Sequence, residues 1–526
     1  METKPPRSFP RRLLRLFGRL LGVLVLLVIS GLLLGDRLTP KAIGTPSHVL
    51  PVEAGQTLLD QQLQPLFVAH PGKNGTVFLS EGLEAFAARA LITRMAGRSL
   101  DLQYYMWHDD MLGHLLAREV HAAAERGVRV RLLLDDMNAV GMDPLMMALD
   151  AHPNIEIRLY NPFRNRDGLW RLVEMVQRVF SINHRMHNKA WTADGQVTIV
   201  GGRNIGGEYF DARPDVNFRD LDLLLAGPAA QQAGSIFDDY WNSTMVVPIA
   251  ALHPPSPHDL ERFISRSEQD TRLIEAQPYL QRVQAHLGQA YFDKQLDLHW
   301  SADVQLHSDP PQKRHTTDRS DWLVTRLVDE LGSARHKALF ISPYFVPGDT
   351  GTAALVDQVA RGVHVGIVTN SLAANDVAAV HSGYMNYRMP LLAGGVQLYE
   401  LKARGNEHKA STFGSSGASL HTKAFMIDDR RGFVGSFNLD PRSAYLNTEM
   451  GAVFDDPELA TRLRTEYLRL SGPQLSYRVY LDGGNRLRWL EWETPPPTVL
   501  TTEPDSTWLQ RATARVISWL PLESQL

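Results

Sequence analysis

The pattern His-x-Lys-x4-Asp occurs twice, at His187–Asp194 and at His421–Asp428, and an asparagine follows each histidine by seventeen residues, Asn204 and Asn438. The flanks repeat as well. Arg-Gly-Val-x-Val stands at Arg126–Val130 and again at Arg361–Val365, at nearly the same separation as the two histidines. Several marks repeated in one register mean a whole domain written twice, which constrains the fold more than any bulk property of the 526 residues.

Each copy reads as alternating helices and apolar strands. Met111–Arg126 and Ala353–Arg361 have helical patterning, each closed by a glycine (Gly127, Gly362) and followed by an apolar strand, Val128–Leu134 and Val363–Val368. Leu100–Met106 and Leu339–Phe345 predict the preceding strands. The fold class is therefore α/β with a mostly parallel sheet in each copy. The boundaries run as follows: a basic arm over 1–19, an apolar segment over 20–36, a linker over 37–75, lobe 1 over 76–245, a proline-punctuated connector over 246–320, lobe 2 over 321–475 and a C-terminal segment over 476–526. Arg404–Ser419, rich in Gly and Ser, reads as a loop over the second motif. Trp170–Phe180 reads as a core helix rather than a lipid-entry flap.

The chemistry lies in the two motifs. Two residues apart on a strand, His187 and Lys189 share a face, as do His421 and Lys423. Asp194-Gly195 signals a type I′ hairpin that returns the chain, with Gly201–Asn204, beside the first pair; Gly435, Ser436 and Asn438 return in the same way. An imidazole, a fixed cation and small donors suit a phosphodiester. One neutral histidine can attack phosphorus and the other can serve as general acid and then base. Lys189, Lys423, Asn204, Ser436 and Asn438 can hold the phosphate oxygens as charge builds. Carboxylates should orient the imidazoles. Glu449 is the candidate in the second half, and Asp220 or Asp222 in the first. The residues alone leave open which histidine is the nucleophile.

Several classes are excluded or weakened. A single His-x-Lys is ordinarily a solvated strand, and His108, His114, His364 and His381 read as ordinary; the matched duplication sets the two motifs apart. With no cysteine, thiolate nucleophiles, Cys-ligated zinc and disulfides are out. Lysine two residues from each histidine disfavours a metal, and no cofactor is called for. Gly201–Gly207 lacks the spacing of a dinucleotide loop. Net charge is −4, and the basic excess sits in the first nineteen residues, so the lobes offer no basic groove for nucleic acid.

With these residues the chain resembles the phospholipase D superfamily, whose motif is H-x-K-x4-D followed by G-[SG]-x-N, and within it the bacterial cardiolipin synthases. The supporting strings are Leu100–Trp107, Arg129–Asp136, Met186–Gly195, Val200–Gly206, Thr369–Tyr384, Ser416–Phe425 and Gly435–Gly451. The resemblance covers roughly residues 76–526. It implies duplicated α/β/α sandwich lobes sharing one active site. It also implies a phosphatidyltransferase that makes cardiolipin from phosphatidylglycerol and a second phospholipid, in one family type phosphatidylethanolamine. By similarity His187 is the nucleophile and His421 the general acid/base, with Asp194 and Asp428 largely structural. A hydrolase of the same fold is the runner-up, since both would share a phospho-enzyme. A non-enzymatic lipid-binding protein would be expected to have lost a motif. One departure is Gly202, where many relatives have Ser.

The ends point to a membrane. Lys4, Arg7, Arg11, Arg12, Arg15 and Arg19 precede the apolar run Leu20–Gly35. This reads as a membrane helix rather than a cleaved signal, because no A-x-A-like site follows. Basic residues ahead of it place the lobes on the periplasmic face of a bacterial inner membrane. Ser506–Leu520 has tryptophans and apolar residues on one helical face, which suits either a helix docked on its own domain or one lying in a membrane interface. The partners implied are phospholipid substrates and the bilayer.

Overall fold

The computed structural model describes residues 9–38, 43–137, 143–166, 168–178, 182–252, 256, 258–285, 292, 296–403, 417–493, 495–520 and 523–525. Two large mixed sheets dominate. The first has nine strands in the spatial order His299–Ser301, Asn74–Leu79, Asp222–Ala226, Val197–Gly201, Ala190–Ala193, Ser99–Tyr104, Arg129–Asp135, Ile155–Tyr160 and Val246–Pro248. The second has ten, in the order Val304–Ser308, Met450–Asp455, Arg431–Gly435, Ala424–Ile427, Lys337–Ile341, His364–Asn370, Gln397–Leu401, Ser476–Leu481, Leu487–Glu491 and Thr498–Leu500. Their centres match: three parallel strands (Ser99–Tyr104 through Ile155–Tyr160, and Lys337–Ile341 through Gln397–Leu401) are joined to an antiparallel hairpin that follows the His-x-Lys segment.

Local sequence explains the matched units. Asp110 caps the helix Met111–Glu125 by accepting the Gly113 N–H, and Gly127 leaves it at φ +92°. In the second lobe Gly362, at φ +91°, ends the helix Gly348–Ala360. Asp194 and Gly195 both have positive φ, as the type I′ hairpin requires.

The segments read as linker, connector and C-terminal segment do more than join lobes. Leu58–Ala69 is a helix with a Thr57 capping box, Val246–Pro248 and His299–Ser301 complete the first sheet, and Val304–Ser308 and three strands beyond Ser476 extend the second. One apolar core lies between the sheets. Val200, Leu221, Leu223 and Leu225 of lobe 1 meet Leu339, Ile341, Val434 and Ala452 of lobe 2, flanked by the helices Pro228–Trp241 and Pro457–Leu470. A shared core of this kind fixes the lobes against each other and aligns the ends of their strands.

Phe9–Leu38 form one helix of 30 residues that contains the Leu20–Gly35 run and touches the helix Gly168–Gln177. Some of its side chains fall outside the described residues, and among the described residues no helix is long and apolar enough to cross a membrane. Of the segment Trp170–Phe180 read as a core helix, the side chains of Trp170, Val173, Val176, Val179 and Phe180 lie outside what the structure describes, and the described side chains of the Gly168–Gln177 helix do not have a core pattern. Glu174 is buried and takes the Arg164 and Asn165 N–H groups, while Leu172 and Met175 are exposed. Of the loop expected over Arg404–Ser419, residues 404–416 lie outside the described residues, and Gly417–Leu420 is a strand.

Candidate active site

Each His-x-Lys segment lies just ahead of a strand rather than within it, the strands beginning at Ala190 and Ala424. The reason is pairing with the other lobe. The His187 N–H donates to the Thr448 carbonyl at 2.8 Å, and Met186 bridges Thr448. The His421 N–H donates to the Arg219 carbonyl at 2.8 Å, where Gly417–Leu420 runs parallel to Val216–Arg219. Each histidine is thus tied to the residue just before a carboxylate of the opposite lobe.

Those carboxylates complete the pairing. His187 Nδ1 meets Glu449 Oε2 at 2.8 Å, and His421 Nδ1 meets Asp220 Oδ2 at 2.6 Å. The orienting groups therefore cross between lobes, which corrects the assignment of Glu449 to the second half and of Asp220 to the first. Asp222 belongs elsewhere: it is buried against Arg89 at 2.9 Å and Arg203 at 3.4 Å and touches neither imidazole. With Nδ1 committed to a carboxylate, the open nitrogen of each ring is Nε2.

The lysines and asparagines surround this pair. Lys189 Nζ donates to the His187 carbonyl at 2.7 Å, and Lys423 Nζ makes the same bond to the His421 carbonyl. Asn204 Nδ2 donates to the Tyr209 hydroxyl at 2.8 Å, and its Oδ1 accepts the Met106 N–H. Asn438 Oδ1 and Glu449 Oε1 are buried with no hydrogen-bond partner. Ser436 Oγ donates to Glu449 Oε2 at 2.5 Å, so the serine holds the carboxylate. Aromatic rings wall the imidazoles: Tyr105 stands edge-on to His187, and Phe218 stacks on His421 with centroids 5.0 Å apart.

Gly202 has a structural explanation. A Cβ there would lie 2.3 Å from Asp220 Oδ1. Aspartate is one methylene shorter than glutamate, so Asp220 sits over the backbone in the space that Ser436 occupies in the other lobe. The pairs Gly202–Asp220 and Ser436–Glu449 are two solutions to one packing problem.

Asp194 and Asp428 stand apart from the imidazoles. Asp194 takes the N–H groups of Gly97, Arg98 and Ser99 at 2.8–3.0 Å, and Asp428 those of Arg335, His336 and Lys337 at the same distances. Each staples its hairpin to the start of the neighbouring parallel strand.

Burial sets the electrostatics. It lowers His187 to about 4, with Lys189 and Lys423 adding to the effect against Glu449. Burial, then Lys423, Lys189 and His187, hold His421 well below the usual imidazole range. Burial also brings Lys189 down to about 7 and Lys423 to about 8, against the pull of Glu449 and Asp220. Burial pushes Asp220 up. It acts on Glu449 in the same sense, but His187, Lys189 and the Ser436 bond outweigh it and leave that carboxyl lowered. The resting site therefore holds neutral imidazoles and cations that are easily neutralised, a setting that favours an incoming anion.

Beside His421, a cleft is lined by His108, Glu208, Arg213, Phe218, Asp376 and Ser419. Within it His108 is more than an ordinary surface histidine. Its Nδ1 lies 3.0 Å from Glu208, and together with Asp110 these residues bring three possible metal ligands within 4.8 Å of one another. Asp110 is already engaged by the Gly113 and Gly207 N–H groups. Tyr344 donates to Asp376, a pair that single-sequence reasoning missed because its members are far apart in the chain and belong to neither motif.

Residues 91–241 and 327–471 match the family described as cardiolipin synthase, PLD-like domain. The chain is 41% identical over 472 residues to cardiolipin synthase C of Escherichia coli (strain K12), covering 87% of this chain and 98% of that one. It is 25% identical to a cardiolipin synthase of Alkalihalophilus pseudofirmus, over 82% of this chain and 76% of the relative. Among solved structures, phosphatidylserine synthase of Haemophilus influenzae superposes with a TM-score of 0.56 at 14% identity, covering 86% of this chain and 95% of the other, a likeness of fold.

Proposed function

The chain belongs to the phospholipase D-like cardiolipin synthase family, and from that premise we propose that it is a phosphatidyltransferase that joins phosphatidylglycerol to a second phospholipid, giving cardiolipin through a phospho-histidine. The observation that carries this reading is the crossed pairing of two neutral imidazoles with two carboxylates, between two lysines, at one interface.

His187 Nε2 attacks the phosphorus of the donor lipid, and the bond from phosphorus to the head-group oxygen breaks. His421, whose protonation the bound anionic phosphodiester favours, gives its proton to the departing alcohol. Neutral again, it takes the proton from a head-group hydroxyl of phosphatidylglycerol as that oxygen attacks the phospho-enzyme and frees His187. Glu449 stabilises the positive charge on the His187 ring in the intermediate, and Asp220 does the same for protonated His421. Lys189, Lys423, Asn204 and Asn438 hold the non-bridging oxygens. Asp194 and Asp428 keep the hairpins in register. The donor is phosphatidylethanolamine or phosphatidylglycerol, which releases ethanolamine or glycerol, and the acceptor is phosphatidylglycerol, the lipid with a free head-group hydroxyl.

The N-terminal helix carries the lobes on the periplasmic face of a bacterial inner membrane. The six basic residues ahead of the apolar run support that orientation, and the exposed Leu20, Leu24 and Leu27 support the membrane contact. The test is expression in a cardiolipin-deficient bacterial host followed by lipid extraction and mass spectrometry. Cardiolipin should appear with the intact chain and not with His187→Ala. Phosphatidate in place of cardiolipin would mean hydrolysis.

A further inference from the structure

Two helices leave described apolar side chains in solvent while turning small or polar ones inward. In the C-terminal helix Trp508–Ile517 and the turn after it, the side facing the protein is Ala514, the only fully buried residue, flanked by the half-buried Arg511, Ile517 and Ser518. The opposite arc holds Trp508, Leu509, Val516, Trp519 and Leu520, and all are exposed, Trp508 at 73% and Trp519 at 74%. Of the two readings of Ser506–Leu520, docking on its own domain therefore accounts only for the small and polar side. Among the described side chains of the Gly168–Gln177 helix, Glu174 lies inside while Leu172 (55% exposed) and Met175 (44%) lie outside.

The two inverted helices are linked in space. Asn183, six residues beyond the first helix and four before His187, bonds Gln525 at the end of the chain, and Arg442 grips both. Tyr387 and Glu523 tie the same tail to lobe 2. On the other side, the Gly168–Gln177 helix touches the N-terminal helix. These contacts link the N-terminal helix to the Gly168–Gln177 helix, and the segment that leads into His187 to the tail beyond the C-terminal helix.

We infer that the outer faces of the helices Gly168–Gln177 and Trp508–Ile517 are seated in the interfacial layer of an anionic phospholipid bilayer, a second membrane contact that rests on the phospholipid reading above. An apolar arc with tryptophans at both ends and the exposed Arg515 at its edge has the make-up of a helix lying in the head-group region. Clustered exposed apolar side chains need a partner; the tryptophans at both ends of the arc select the interfacial layer of a bilayer, and contact of the Gly168–Gln177 helix with the N-terminal helix agrees with that choice. This seating holds the segment that leads into His187 close to the lipid head groups.

The absence of cysteine from the chain makes the test direct. Full-length protein with Trp508→Cys or Trp519→Cys, labelled with an environment-sensitive fluorophore, is reconstituted into vesicles of phosphatidylethanolamine and phosphatidylglycerol that contain spin-labelled lipid. Lipid should quench both labels strongly. A label at Gln510→Cys, exposed on the far flank of the same helix, should be quenched less and stay open to aqueous iodide. In parallel, Trp508→Ser/Trp519→Ser should raise the surface lipid concentration needed for half-maximal rate about tenfold, with the rate on a monomeric short-chain phosphatidylglycerol unchanged. Labels that lipid does not quench, or that are shielded only by a second copy of the chain, overturn the inference, as does a double variant with unaltered surface kinetics. Lipid-quenched labels on a protein that makes no cardiolipin would instead overturn the reaction proposed above and leave the docking face standing.

Discussion

Glu449 of the second lobe and His187 of the first meet at 2.8 Å, and Asp220 and His421 make the reciprocal contact at 2.6 Å. Neither lobe contains a complete imidazole–carboxylate pair, so neither could carry out the chemistry alone. The apolar core between the sheets keeps the pairs together, and the backbone bonds from His187 to Thr448 and from His421 to Arg219 set their register.

Glu449→Gln removes the charge while nearly preserving shape. It should lower kcat by about 10²–10⁴-fold, the scale of losing a charge that supports a catalytic imidazole. KM and the melting temperature should change little. Steady-state rates on phosphatidylglycerol in mixed micelles and a thermal melt check both halves of the expectation.

Gly202→Ala tests the packing between Gly202 and Asp220. The added Cβ would lie 2.3 Å from Asp220 Oδ1, so the carboxylate must move and His421 loses its orientation. The variant should fall to the activity of Asp220→Asn, and adding Asp220→Asn to it should cost little more. Ser436→Ala, which only loosens Glu449, should cost less than Gly202→Ala. A double-mutant cycle on kcat measures all three.

The resting site predicts a bell-shaped pH profile for kcat/KM. His187 must be neutral to attack, so activity should fall as pH drops toward about 4. The lysines must be charged to hold the phosphodiester, so activity should also fall as pH rises through about 7 to 8. In Lys189→Arg, which keeps its charge at high pH, the alkaline limb should move upward even if the maximum drops.

Asp194 should matter for stability rather than chemistry. Its carboxylate takes three backbone N–H groups and its own φ is +53°. Asp194→Ala should cost about 3 kcal/mol, because three backbone N–H groups, that of buried Ser99 among them, lose a buried acceptor. Asp194→Asn, which tolerates that φ and keeps one acceptor, should cost less. Denaturant melts compared with the specific activity of the folded fraction separate the two effects.

Much of this was legible in the sequence because the duplication is local: each His, Lys, Asp and Asn sits in one contiguous block whose hairpin and returning strand follow from Asp194-Gly195 and its counterpart. The crossing of Glu449 and Asp220 was not legible, because nothing in a contiguous block records which lobe a side chain will face. The place of His187 and His421 ahead of their strands follows from pairing with the other lobe, which strand patterning cannot register. Hydropathy marked Trp170–Phe180 as apolar, yet could not show that Glu174 would turn inward to cap the loop at Arg164 and Asn165.

The central claim is that one histidine carries the phosphatidyl group and the other moves the protons, and it is tested most directly by trapping the intermediate. A p-nitrophenyl phosphodiester needs almost no acid to release its phenolate, so His421→Ala should give a burst of p-nitrophenol and then stall for want of a base. Mass spectrometry under neutral or alkaline handling should then find the phosphoryl adduct on His187, while His187→Ala should give neither burst nor adduct. A burst from His187→Ala with the adduct on His421 would reverse the two roles. Turnover by both variants without an adduct on either residue would contradict the mechanism.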